Sequence, residues 1–291
     1  MPYQKPHYEH LKNKWTDRHR ELQKILWAKH KNSLDWLVNN SKQLVVGSLG
    51  GLILLTSPAI QQLSKPSISF ANEQIAKNID KKVFLISDLS KILPFQMRAL
   101  STDEEEKIAN VLSRTFGIKV TPELNGKRLN RSYGLIGAEQ HLARYPGDNM
   151  DNHFDRQEDA NKFYSSGMAH GLGAWGYFAP SINDFTKKDN EKEKYYIAVQ
   201  TFLIQDYNKR VAEYRDFFKF RKMLVVNPNN GKAIVAVIGD SGPSEWTGKQ
   251  LGGSPEVMDY LERFDGSQRG PVLYFFILDP EDKVPLGPIA I

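Results

Sequence analysis

The chain of 291 residues contains no cysteine. That absence excludes a disulfide scaffold, a thiolate zinc site, a cysteine nucleophile and a lipid-modified N-terminal cysteine. A phosphate-binding loop, a dinucleotide fingerprint and a Gly-x-Ser-x-Gly elbow are also missing, so NTPase, Rossmann and α/β-hydrolase readings fall away. No internal repeat or low-complexity tract occurs. Excess charge is scarce over most of the chain. The net charge is +5, and residues 1–43 hold all of it, with nine basic groups against four acidic ones. A nucleic-acid binder would carry basic surface on its folded body. Nucleic acid is therefore not an expected partner, and no cofactor is expected.

What the chain does contain is enough for a core: 40% hydrophobic residues, with 15 Phe, 12 Tyr and 5 Trp. Residues 1–43 read as a basic amphipathic segment, with Leu11, Trp15, Leu22, Ile25 and Trp27 near one side of a helix. Residues 44–60 (LVVGSLGGLILLTSPAI) follow as 17 residues without a charge. That is the lower limit of a spanning helix, and basic residues on its N-terminal side would keep that side cytoplasmic. The expectation is an uncleaved signal anchor: a single-pass protein of the cell membrane with an extracytoplasmic body.

Residues 61–81 are polar and mixed, and read as a linker. Residues 82–164 read as an α+β extension, with a short strand over 82–87 and a helix over 102–115. That helix opens on Ser101 with Glu104 three residues on, the pattern of a capping box, and stops at Gly117. The stretch 121–160 is turn-rich and polar, and 185–193 reads as a charged loop. Strand candidates then cluster at 195–200, 222–226, 232–238 and 272–278, with Asn227-Pro-Asn-Asn-Gly231 as a hairpin turn between the middle two. Ser254 followed by Pro255 opens a short helix. The fold class is α+β, with a small C-terminal barrel or sandwich holding one short helix.

One ordered set of residues carries more. Asn227, Gly231, Lys232, Asp240, Gly242, Pro243, Gly248, Lys249 and Ser254 follow a strand, turn, strand, Asp-x-Gly-Pro, glycine–basic step and helix opening on Ser. This resembles the double-psi β-barrel of rare lipoprotein A-like and expansin-like wall proteins. The resemblance covers about 40 residues directly, and implies a six-stranded double-psi barrel over 165–291 if residues 171–176 open it.

It further implies that Asp240 lies in a substrate groove as the general acid of a lytic transglycosylase-like cleavage of peptidoglycan. Such cleavage needs one acid, because a hydroxyl of the sugar replaces water, whereas ordinary glycosidases use two carboxylates. Trp246, Trp175 and Tyr177 are candidate sugar-stacking residues, with Lys249 and His170 beside them as candidate substrate contacts. The partner would be cell-wall glycan or another envelope protein, and the alternatives to catalysis are glycan binding alone or a protein-interaction platform. Two departures stand out. The resemblance would place an acid at Gly252 or Gly253, and a histidine on an earlier strand that has no clear counterpart here, His170 being a candidate by location alone. Glu139, His141, Asp148, Asp151 and His153 crowd within 15 residues, but without the helical spacing of a metal motif they read as loop polarity, with no metal.

Overall fold

The computed structural model describes residues 70–263 and 269–291. The basic segment 1–43 and the apolar segment 44–60 lie outside them, and no described helix is long and apolar enough to cross a membrane. The chain divides between Ala76 and Lys77 into two units, and the architecture below is that of the second, residues 77–291.

Two helices come first, α1 (Phe70–Ile92) and α2 (Thr102–Phe116). The short strand β1 (Val120–Thr121) and a hairpin of β2 (Glu123–Leu124) and β3 (Lys127–Arg128) lead into β4 (Tyr133–Ala138). After α3 (Gln157–Phe163) and α4 (Lys187–Lys194) comes β5 (Tyr196–Val199), then α5 (Val211–Phe218). The remainder is β6 (Lys222–Val226), β7 (Ala233–Ser241), β8 (Leu251–Gly253), α6 (Pro255–Tyr260), β9 (Arg269–Ile277) and β10 (Gly287–Ile289).

Six of these strands close a barrel in the order β4-β8-β5-β7-β6-β9 and back to β4. Two of the six pairings are parallel, β4 with β8 and β5 with β7, so the sheet is mixed. Closure leaves no free edge, and β1 and β10 extend it by pairing with β9 and β7.

The strands read as near-continuous apolar runs because both of their faces are covered. Along β7, Ile234, Ala236 and Ile238 join Ile136, Ile197, Leu251 and Phe276 inside the barrel. The alternate residues Ala233 and Val235 join Leu224, Leu273 and Phe275 in an outer layer, against Leu85 and Leu89 of α1 and Ile108, Leu112 and Phe116 of α2.

Several expectations need correction. The strand expected at 82–87 is helical, inside α1, with Leu85 and Leu89 buried and Val83 and Phe84 exposed. A short apolar run does not by itself distinguish strand from helix. The linker expected over 61–81 is helical from Phe70 on. The charged loop at 185–193 is instead α4, nucleated by a capping box between Thr186 and Asp189. The polar stretch 121–160 supplies barrel strand β4, so the barrel draws on residues well before 165 and the segments 82–164 and 165–291 form one unit. Residues 171–176 open no strand. The glycines of β4 hid it: a Cβ at Gly134 would meet Gln250 Cβ at 2.8 Å, and one at Gly137 would meet Lys249 Cδ at 2.3 Å. Glycine depresses strand propensity, but here it admits a closely packed neighbour.

The helix at 102 forms as read. Ser101 Oγ accepts the Glu104 amide at 3.3 Å, Glu104 Oε2 accepts the Ser101 amide at 2.8 Å, and Gly117 ends the helix with φ +67°. Ser101→Ala should lower the stability of the fold by about 1 kcal/mol, read from urea unfolding, because one amide of the first turn loses its acceptor.

Candidate functional site

The pairing of β5 with β7 shifts register between Ile197 and Ala198. Before the shift Ile197 pairs with Ile238, and both point into the barrel. After it Ala198 pairs with Asp240, skipping Gly239. A bulge of this kind carries two successive residues to one face. A Cβ on Gly239 would meet Tyr196 Cβ at 2.6 Å on the outer face, and Asp240 follows on that same face.

The row continues across the sheet. Ala198 pairs with Gly252, and Gly252 with Gly137. Paired positions share a face, so Ala198, Gly252 and Gly137 form a strip of small, buried residues on the outer face, with the Lys249 stem lying over Gly137 and the Glu139 carboxylate over Gly252. Asp240 stands at one end of the strip. At the other end Lys249 Nζ donates to Glu139 Oε1 at 2.6 Å and to the Ala138 carbonyl at 3.0 Å. A Cβ on Gly252 would meet Glu139 Oε1 at 2.3 Å, so Glu139 fills the space of the side chain that residue 252 lacks. With strands about 4.8 Å apart, Asp240 and Gly252 are about 10 Å apart. Beyond Glu139 the surface opens into a cleft of about 500 Å³ whose lining includes Gln140, Lys162, Ser165, Ser166 and Asp259.

Asp240 is fixed through one oxygen. Its Oδ1 accepts the Ala174 amide at 2.6 Å and the Ser241 amide at 2.7 Å, while Oδ2 makes no hydrogen bond among the described residues. Burial pushes this carboxyl above its ordinary value, and the two amides only partly offset that. Gly173 packs over it: a Cβ there would lie 3.5 Å from Asp240 Cγ.

The other sequence candidates divide. Lys249 lies at the groove, as above. Trp246 stands 88% exposed on the turn between β7 and β8, its ring free to stack on a ligand. Tyr177 is 36% exposed. Trp175 is only 4% exposed, lies in the barrel core and donates its indole N–H to the Ile238 carbonyl at 3.1 Å, so it offers no face to a sugar. His170 is exposed and makes no hydrogen bond among the described residues, Asp240 included.

The acidic and histidine cluster of the sequence splits in two. Glu139 goes to the groove, and Asp151 accepts the Tyr164 hydroxyl at 2.9 Å at the surface. His141, Arg144, Asp148 and His153 turn inward to meet Glu193 of α4, all of them buried. Arg144 holds Asp148 through Nε and Nη2, both at 2.9 Å, and Asp148 Oδ2 lies 3.1 Å from His153 Nδ1. Burial opposes charge here, but the contacts with Asp148 and Glu193 outweigh it and raise His153 to about 9. Glu193 is held low by His141 and His153 despite complete burial. Nearby Glu256 has no such support, and burial, with repulsion from Glu193, pushes it up to about 8. Sequence reading missed Glu193 and Glu256, which sit 40 or more residues away from the histidines.

No protein-family model matches the chain, and no curated protein matches it. What the molecule defines by itself is an α+β protein built on a closed six-stranded mixed β-barrel, with Asp240, the Lys249–Glu139 pair and the cleft beside that pair on its outer face.

The bulge glycine is the most constrained element of the site. Gly239→Ala should cost about 1–3 kcal/mol, since its methyl would strike the base of Tyr196 rather than a flexible tip. Gly242→Ala, whose methyl would find only Ala198 Cβ at 3.8 Å, should be tolerated. Thermal melting of the two variants side by side makes the comparison.

Proposed function

We propose that the groove binds a cell-wall glycan strand and that Asp240 serves as the proton donor for cleaving it, in the manner of the double-psi wall proteins the sequence resembles. The observation that carries this reading is the placement of Asp240. It stands on the outer face of the barrel, held through Oδ1, with Oδ2 making no hydrogen bond among the described residues and burial favouring its protonated form. A polysaccharide needs an open surface rather than a closed pocket, and the cleft of about 500 Å³ beside Glu139 supplies one. Exposed Trp246 offers an aromatic face to a pyranose ring.

In the reaction, Asp240 gives its proton to the glycosidic oxygen as the bond from that oxygen to C1 breaks. A hydroxyl of the same sugar attacks C1, and its proton passes to the Asp240 carboxylate, restoring the acid. The product is an anhydro-sugar. The body would be exported and held at the membrane by residues 44–60, which puts the groove beside its substrate.

A second reading, binding without cleavage, draws on the same geometry. Two backbone amides on Oδ1 also suit a carboxylate whose work is to fix the Gly242-Pro243 turn.

Purified protein incubated with peptidoglycan separates the two. Cleavage should release anhydro-sugars detectable by mass spectrometry, and Asp240→Asn should abolish them. Pelleting with insoluble wall material and no products, equal in wild type and Asp240→Asn, would establish the binding module instead. Trp246→Ala should weaken pelleting in either case without changing the melting temperature, because so little of the ring is buried.

The pH dependence has a definite sign. An acid catalyst works only while protonated, so activity should fall as pH rises through the Asp240 value, which lies above the ordinary aspartate value of about 3.9. Stability moves with it. A carboxyl whose folded value is raised disfavours the folded state once pH exceeds the unfolded value. Asp240→Asn should therefore be as stable as wild type or more so at pH 7, and lose that advantage below about pH 4. Activity and unfolding profiles of the two proteins check both statements.

A further inference from the structure

We propose that His141, His153 and Glu193 bind a divalent transition-metal ion, zinc being the best fit, in a structural site next to the groove. The three side chains are buried, and one ligand atom from each lies within 4.8 Å of the others. Glu193 presents one oxygen to each histidine: Oε1 is 3.4 Å from His141 Nδ1, and Oε2 is 3.2 Å from His153 Nε2. Tetrahedral zinc with bonds of about 2.0–2.2 Å to nitrogen and oxygen holds its ligand atoms about 3.4 Å apart. Each histidine–carboxylate contact matches that separation, and the three-residue set, within 4.8 Å, would draw in slightly around an ion.

The hydrogen bonds point the same way. His141 is 0% exposed, yet among the described residues neither of its ring nitrogens makes a hydrogen bond, Nδ1 having only the 3.4 Å approach of Glu193. A buried polar group without a partner costs about 1–3 kcal/mol, and a metal ion would remove that cost. His153 has Nδ1 against Asp148 Oδ2 at 3.1 Å, so Nδ1 is a donor. In the neutral ring, Nε2 then directs its lone pair at a Glu193 oxygen 3.2 Å away. With the ring neutral, that lone pair and the carboxylate oxygen repel unless a cation lies between them, a proton on Nε2 or a metal ion. The Asp148–His153 pair is the carboxylate–histidine arrangement found behind metal ligands, and Arg144 locks the carboxylate from the far side.

Charge and space are also available. His153, Glu193 and Glu256 line a cavity of about 190 Å³, with room for a fourth ligand, and Glu256 Oε2 is buried there with no hydrogen-bond partner among the described residues. Two imidazoles and a carboxylate suit zinc and its first-row neighbours rather than calcium or magnesium, which take oxygen ligands. The site would tie the segment after β4 to α4. The acid network can also close without metal, as an imidazolium at His153 between two carboxylates, and the experiment must tell these states apart.

The full chain, dialysed against a chelator and then titrated with Co²⁺, gives the direct readout. One equivalent should bind with the intense visible absorption of tetrahedral cobalt, and Zn²⁺ should displace it and raise the melting temperature. His153→Gln should weaken zinc binding at least 100-fold, and Asp148→Asn, which removes only the positioning carboxylate, about 10–100-fold. The wild-type spectrum and stoichiometry decide the matter even where a variant does not fold. Absence of stoichiometric Co²⁺ or Zn²⁺ binding by the wild type would overturn the proposal and leave the imidazolium network. So would binding of undiminished affinity in a folded His153→Gln variant.

Discussion

The register shift between β5 and β7 is the constraint on which the site depends. A regular ladder would send residue 240 into the barrel after Ile234, Ala236 and Ile238, and a carboxylate there would be buried in the apolar core. One extra residue reverses that outcome. Gly239 is the residue skipped in the pairing, and Asp240 emerges beside the amides of Ala174 and Ser241. Gly239 is required because the Tyr196 side chain lies where its Cβ would go. The core on one side of β7 and the groove on the other are thus set by a single glycine.

A second economy lies at the end of β4. Within five residues the chain supplies Gly137 to the strip beside Gly252, Glu139 to the ion pair with Lys249, and His141 to the buried polar centre. Alternation along an extended chain accounts for part of this, since residues two apart face the same way. The rest comes from α4, which brings Glu193 under the segment, where its Oε1 also accepts the Leu142 amide at 3.0 Å. Groove and polar centre are therefore mechanically linked, and a change in the packing of Glu193 reaches Glu139 through only a few bonds. Glu139 also answers the first departure noted in the sequence. Gly252 lacks a side chain, and the carboxylate of a neighbouring strand occupies its place.

What could be read from the sequence follows from locality. The capping box at Ser101, the hairpin at 227–231 and the Ser254-Pro255 helix start are written in consecutive residues, and all three form. The apolar runs of β5, β6, β7 and β9 were equally visible, because strands covered on both faces carry no polar alternation. β4 was not visible, since Gly134 and Gly137 serve Gln250 and Lys249, more than 100 residues away in sequence. The exchange of Val83 and Phe84 from strand to helix has the same origin: the outer layer at Leu85 and Leu89 selects helical spacing, and that layer exists only once the barrel is closed. Among the candidate residues, the motif run brings Asp240 and Lys249 to the same outer face of the barrel. Trp175 was misjudged because an indole looks the same in sequence whether it plugs a core or faces a ligand. Glu193 carried no signal beyond its charge within a charged stretch.

The central claim is that the strip from Asp240 to Glu139 is the surface that meets glycan. The most direct measurement is the amide NMR spectrum of the labelled body during titration with soluble peptidoglycan fragments. The expected result is a contiguous set of shifts at Gly137, Ala198, Asp240, Trp246 and Gly252, which lie along or beside the groove, with Trp175 and the outer layer at Leu273 and Phe275 unaffected. Shifts confined to another face of the barrel, or no shifts at millimolar fragment, would contradict it.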